Sequence, residues 1–124
     1  MLSAISAIAV GQGGSCIECG LRIGTEQVKD ATGLKGVILL SDGQANKIWN
    51  GGSLNAKQAS ITQSVSGRAL GIEYYVLGFG AQGTNQIDEA TLKSIAGPAS
   101  NYSYQPDSTL WTSTFLSFIP KICN

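Results

Sequence analysis

A chain of 124 residues, 43% hydrophobic and only 13% charged, has room for one small α/β core and no second domain. Eight basic residues balance eight acidic ones with no basic block, so nothing points to a polyanionic partner such as nucleic acid. Histidine is absent, which removes the commonest general base, the Cys/His and His/Asp catalytic pairs and the most frequent transition-metal ligand, and weighs against an ordinary hydrolase.

The opening residues 1–10, MLSAISAIAV, resemble a secretory apolar region but carry no Lys or Arg and lack a small-x-small end. Leu2, Ile5 and Ile8 instead recur as on one face of an amphipathic helix. No run approaches the ~18 apolar residues of a membrane span, so the chain is not expected to be an integral membrane protein. Ser15 and Glu18 have the S-x-x-E spacing of a capping box, which places a helix start at Cys16. Ile17, Leu21 and Val28 form its core stripe, and Gly33 and Gly36 bracket its end. Val37-Ile38-Leu39-Leu40 is a run of β-formers suited to a strand covered on both faces, closed by Ser41-Asp42-Gly43.

Beyond a polar loop containing Trp49, the spacing of Ile61, Val65 and Ala69 predicts a helix over residues 55–70 that stops at Gly71. Ile72 to Leu77 is the next strand. Asp88 reads as an N-cap with Ile87 and Leu92 as a hydrophobic staple, and Gly97-Pro98 ends that helix. Tyr102 to Tyr104 is a short third strand. A last helix from Asp107 or Ser108 presents Trp111, Phe115 and Phe118 until Pro120 breaks it. The order αβαβαβα predicts a three-layer α/β fold: a Rossmann-like parallel sheet with helices on both faces, joined by right-handed crossovers. Functional loops of such a sheet lie at the carboxyl ends of the strands, where Asp42 and Gly78-Phe79-Gly80 fall.

Several residues carry chemistry under more than one reading. Cys16-x-x-Cys19 at a helix N-terminus fits a thiol-disulfide redox motif, a structural disulfide, or a pair of buried thiols. Pairing those two leaves Cys123 over. Residues 78–83, GFGAQG, have only part of a nucleotide-binding glycine spacing and no prompt helix behind them. Trp49 is either an exposed anchor for a partner or an aromatic folded back on the domain.

Four blocks together resemble the C-terminal portion of a von Willebrand factor A-type (VWA) domain: Gly13-Gly14-Ser15, Val37 to Gly43, Leu70 to Gly80, and the helix from Ile87 to Ala96. The resemblance covers nearly the whole chain, 1–124, read as one partial domain. It implies a protein-binding module of adhesion type, not an enzyme, working at the cell surface or outside the cell. In that family a metal-ion-dependent adhesion site holds Mg²⁺ or Mn²⁺ between a D-x-S-x-S loop, a Thr and a further Asp. Ser15 matches the Thr and Asp42 the later Asp, and both offer the hard oxygens that Mg²⁺ prefers. A partner's acidic side chain then replaces a water on the metal. Ser15 is equally explained as a helix cap, and Asp42 as a turn residue. No D-x-S-x-S occurs in the sequence, so two of the family's five ligands remain and metal binding by this chain alone is expected to be weak or absent. The family's sheet order further implies that the strand at Val37 to Leu40 is an unpaired apolar edge, open to self-association or to completion by another polypeptide. The family often joins its termini by a disulfide, which implies an upstream partner for Cys123.

Overall fold

The computed structural model describes residues 14–51, 55–83 and 85–123. The expectation for Leu2, Ile5 and Ile8 lies outside the described residues. In chain order the elements are α1 (Ile17–Val28), β1 (Lys35–Ser41), α2 (Ala56–Ala69), β2 (Ile72–Gly78), α3 (Glu89–Ala96), β3 (Tyr102–Tyr104) and α4 (Trp111–Ile122), with short 3₁₀ turns at Trp49–Gly51, Ala99–Asn101 and Ser108–Leu110. The strands form one parallel sheet in the order β1-β2-β3. Lys35 pairs with Ile72 and Ser41 with Gly78, while β3 pairs only with the last residues of β2. The alternation of helix and strand and the parallel sheet agree with the sequence, and no described helix is long and apolar enough to cross a membrane.

β2 is central, and its two-residue period sorts the core into two halves. Ile72, Tyr74 and Val76 point into a cluster with Ile17 and Leu21 of α1, Ala56 of α2, and Leu92, Ile95 and Ala96 of α3. Tyr75 and Leu77 point the other way, onto Phe118 of α4, with Ile38, Trp111 and Ile122 packed around them. Among the described residues, three helices thus cover one face and a single helix covers the other.

That asymmetry corrects the expected burial of β1. Val37, Ile38 and Leu39 are only half-buried, and Leu40 is 47% exposed. As the edge strand of the described sheet, with α1 on one face and only part of α4 on the other, β1 lacks the full double cover that its apolar run predicts. A groove of about 290 Å³ remains between β1 and α4, lined by Ile38, Leu40, Leu77, Trp111, Thr112 and Phe115. Phe115 is 43% exposed at its rim.

The second helix departs from its predicted stripe. Val65 and Ala69 are exposed, and the buried face is Ala56, Ser60, Ser64 and Gly67. Small residues win that face because the helix lies close against β2: a Cβ on Gly67 would overlap the Tyr74 hydroxyl. The serines remain tolerable there because their hydroxyls donate to main-chain carbonyls, Ser60 to Ala56 O at 2.8 Å and Ser64 to Ile61 O at 2.8 Å. α4 also differs from expectation, since Pro120 lies inside it. Proline forfeits one hydrogen bond, but the helix ends two residues later. Its last turn is held by Cys123 N donating to Ile119 O at 2.9 Å and by Ile122 packed on Gly36.

Candidate functional site at the carboxyl end of the sheet

The loops that carry Ser15 and Asp42 meet at the carboxyl end of β1. Asp42 follows the strand directly, its Oδ1 accepting from Gln44 N at 2.9 Å and its carbonyl accepting from Asp88 N at 2.7 Å. Ser41 Oγ accepts from Gly43 N at 3.0 Å. Gly43 takes a left-handed φ of 80°, and a Cβ there would meet the Asp88 carbonyl oxygen at 2.5 Å. Only glycine fits both conditions, so the turn after Asp42 is fixed by its contact with the start of α3. The chain then runs to Asn46 and Lys47, whose N–H groups donate to Ser15 O at 3.0 and 3.1 Å. Ser15 N returns a hydrogen bond to Asn46 Oδ1 at 2.8 Å. Two segments far apart in sequence are therefore laced together by three hydrogen bonds that involve the Ser15 main chain.

The capping box read from Ser15 and Glu18 does not form. Cys16 is the N-cap, its Sγ accepting from Cys19 N at 3.2 Å, and α1 starts at Ile17. Glu18, instead of reaching back to the cap, is buried with its carboxylate committed elsewhere. Its Oε1 accepts from Arg22 Nε at 2.8 Å and Oε2 from Trp49 N at 2.9 Å. A buried carboxylate requires such partners, and the sequence gives no hint that a main-chain N–H from the Trp49 turn would be one of them. Trp49 itself is 48% exposed, with the Arg22 guanidinium 5.8 Å from its ring centroid. Cys16 and Cys19 form a disulfide with a Cα–Cα distance of 5.2 Å, and Cys123 is an exposed free thiol.

Asp88 caps α3 as expected, accepting from Thr91 N at 3.0 Å and from Thr91 Oγ1 at 2.9 Å. Lys57 of α2 reaches the same carboxylate at 2.5 Å. Burial pushes the Asp88 carboxyl up, but the Lys57 and Thr91 hydrogen bonds outweigh it and hold the group below its ordinary value. With those partners Asp88 is a structural carboxylate, not a third donor beside Asp42.

The donor chemistry of Ser15 and Asp42, a hydroxyl and a carboxylate, fits part of the octahedral oxygen set of Mg²⁺ or Mn²⁺. Among the described residues, the group of three ligand-type side chains that does converge is Cys16, Glu18 and Cys19, within 4.8 Å of one another. Its sulfurs are bonded to each other and its carboxylate is occupied, so it is a covalent and hydrogen-bonded cluster instead of a ready cation site.

No protein-family model and no curated protein sequence matches the chain. Several solved structures match it, and two of them do so over nearly its whole length. BatB, a conserved hypothetical protein from Bacteroides thetaiotaomicron, is 19% identical with a TM-score of 0.61, over 98% of this chain and 68% of its own. The manganese-loaded TRAP protein of Plasmodium vivax is 19% identical with a TM-score of 0.67, over 98% of this chain and 45% of its own. The fold is shared. At this identity the likeness speaks to architecture alone, and at that level it agrees with the Rossmann-like arrangement implied by the VWA resemblance. The chain spans less than half of the TRAP structure and about two thirds of BatB.

Proposed function

We propose that this chain is part of a VWA-type protein-binding module, not an enzyme, whose partner site is built around a divalent cation held in part by Ser15 and Asp42. The carrying observation is the lacing of the Ser15 main chain to Asn46 and Lys47, which fixes the Ser15 loop against the loop that begins at Asp42. The manganese in the TRAP structure is a further support, since a protein of this fold holds such an ion. The remaining ligands, an acidic residue and two hydroxyls of a D-x-S-x-S loop, come from a polypeptide segment outside this sequence that also pairs with the free edge of β1. A partner's acidic side chain completes the coordination, with Trp49 as an apolar contact beside it. The module works outside the cell or at its surface, as part of a larger protein.

The test is calorimetric titration of Mg²⁺ and Mn²⁺ into this chain alone and into the chain completed by a segment that carries a D-x-S-x-S loop. The chain alone should take up metal only weakly, because two ligands give hydrated Mg²⁺ little reason to shed water. In the completed domain Asp42→Ala should abolish metal-dependent partner binding. Ser15→Ala should weaken it with stability changed by no more than about 0.5 kcal/mol, because Cys16 and not Ser15 caps α1. Micromolar binding by the chain alone, unchanged by Asp42→Ala, would place the site elsewhere.

A further inference from the structure

The Cys16–Cys19 disulfide is joined to the candidate site on both sides. Immediately before it, Ser15 is bonded to Asn46 and Lys47. Between its two cysteines, Glu18 is bonded to Trp49 N. Both connections run from the N-terminus of α1 to the same stretch of loop after β1. The disulfide closes the turn from which they start, and it supplies the sulfur that caps the helix. Cys16 and Cys19 are both half-buried, unlike the fully buried Ile17 and Glu18 between them. From this arrangement we propose that Cys16–Cys19 is a thiol-disulfide exchange site for small or protein dithiols, and that its redox state sets the order of the segment Asn46–Trp49 and of the Ser15 loop.

The exchange balances as follows. One thiolate of the dithiol attacks Cys19 Sγ, the Cys16–Cys19 bond breaks, and the electron pair leaves on Cys16 Sγ, toward which Cys19 N already donates a hydrogen bond. The second thiolate of the reductant then attacks its own sulfur in the mixed disulfide. It expels Cys19 as a thiolate and leaves the reductant as a cyclic disulfide. Two electrons pass to the protein sulfurs, which take protons from solvent, and the dithiol is oxidised by the same amount.

The mechanical consequence follows from chain entropy. The disulfide holds four residues, 16–19, in the geometry that aims Glu18 at Trp49 N and fixes the Ser15 carbonyl under Asn46 and Lys47. Once it is reduced, those residues regain torsional freedom, and the helix cap becomes a single thiol free to rotate. α1 persists beyond that turn, because Leu21 packs in the cluster with Ile72, Tyr74 and Val76 and Thr25 Oγ1 is hydrogen-bonded to the Tyr74 hydroxyl. The coupling itself stands without a metal; only its effect on ligand binding rests on Ser15 being a metal ligand.

The test uses the whole chain with Cys123→Ser, which removes intermolecular pairing. The protein is equilibrated across ratios of reduced to oxidised dithiothreitol, with intact mass after alkylation reporting the redox state and amide hydrogen exchange reporting the structure. Reduction is expected to be complete and reversible without unfolding. The amides of Asn46, Lys47 and Trp49 should exchange roughly tenfold faster in the reduced form while those of β2 stay unchanged. An emission change that follows reduction and disappears in Trp49→Phe supplies a second readout. Resistance to millimolar dithiothreitol under native conditions would overturn the exchange site. Reduction with no change at those amides would overturn the coupling, and loss of protection throughout β2 would make the disulfide a staple of the whole fold. A failed Mg²⁺ titration touches none of these results, so the redox coupling and the metal site fail separately.

Discussion

At Asp88 a single carboxylate serves a helix cap and an ion pair across two helices, and both roles depend on its charge. Lys57 and Thr91 hold the group below its ordinary value of 3.8 although burial pushes it upward. A carboxyl lowered in the folded state contributes stability that is fully present above the unfolded value. That contribution is lost as the pH falls from about 4 through the folded value. Urea unfolding of the wild type should therefore show a midpoint that declines below about pH 4. In Asp88→Asn, which keeps the cap but not the charge, this part of the decline should vanish. Asp88→Ala should cost about 1 kcal/mol near neutral pH through the lost cap. Identical acid limbs in wild type and Asp88→Asn would show that the Lys57 pair contributes nothing. Among the thiols, Cys123 is exposed and free while Cys16 and Cys19 are bonded. A maleimide should accordingly add once to the native protein, and a second or third rapid addition would contradict the pairing.

At the scale of elements, α2 shows how packing overrides pattern. Its apolar residues Ile61 and Val65 suggest one face, yet the face that meets the sheet is the one with the smallest side chains. Helix propensity alone favours Gly67→Ala by about 1 kcal/mol. The added methyl would collide with Tyr74, whose hydroxyl is hydrogen-bonded to Thr25 Oγ1 at 2.6 Å and so cannot retreat freely. Gly67→Ala should therefore be net destabilising by about 1–3 kcal/mol, as overpacking of a core usually is. Tyr74→Phe removes the nearest atom of the collision, so Gly67→Ala should cost less in that background. A double-mutant cycle by urea titration measures the coupling, and a cycle with no interaction would mean that α2 shifts away as a rigid body. The same lesson applies to α4, where the sequence rule that proline ends a helix yields to tertiary contact, because Ile122 is held against Gly36 of β1.

At the scale of the molecule, the decisive feature is the unequal cover of the sheet among the described residues. Among the described residues, one helix on the Tyr75 and Leu77 side leaves the β1 edge and the adjoining groove open, with Leu40 and Phe115 exposed along its lining. Apolar surface next to unpaired strand backbone favours association. Sedimentation of the chain alone should show mass rising with concentration. Leu40→Lys should suppress that rise with little change in stability, since the side chain is already 47% exposed. A monomer at every concentration, unfolding cooperatively in urea, would show that this small fold needs no partner.

The elements, their order and the ends of several of them were legible in the sequence because the signals involved are local. The period of side chains, the Asp88 cap, the Gly71 and Gly97 stops and the unbroken apolar run of β1 each act within a few residues. Those signals suffice for a parallel α/β fold, and with them come Ser15, Asp42 and the paired cysteines as the residues worth attention. The sequence could not tell that Glu18 would turn away from its own helix cap to a main-chain N–H 31 residues on, or that Cys16 would take the capping role. Nor could it tell that α2 would bury its serines and glycine, or that Leu40 of β1 would stay half-exposed beside an open groove. Each of those outcomes depends on which segments become neighbours in space, and side-chain commitment, close approach and edge exposure are settled only when the sheet and helices pack against one another.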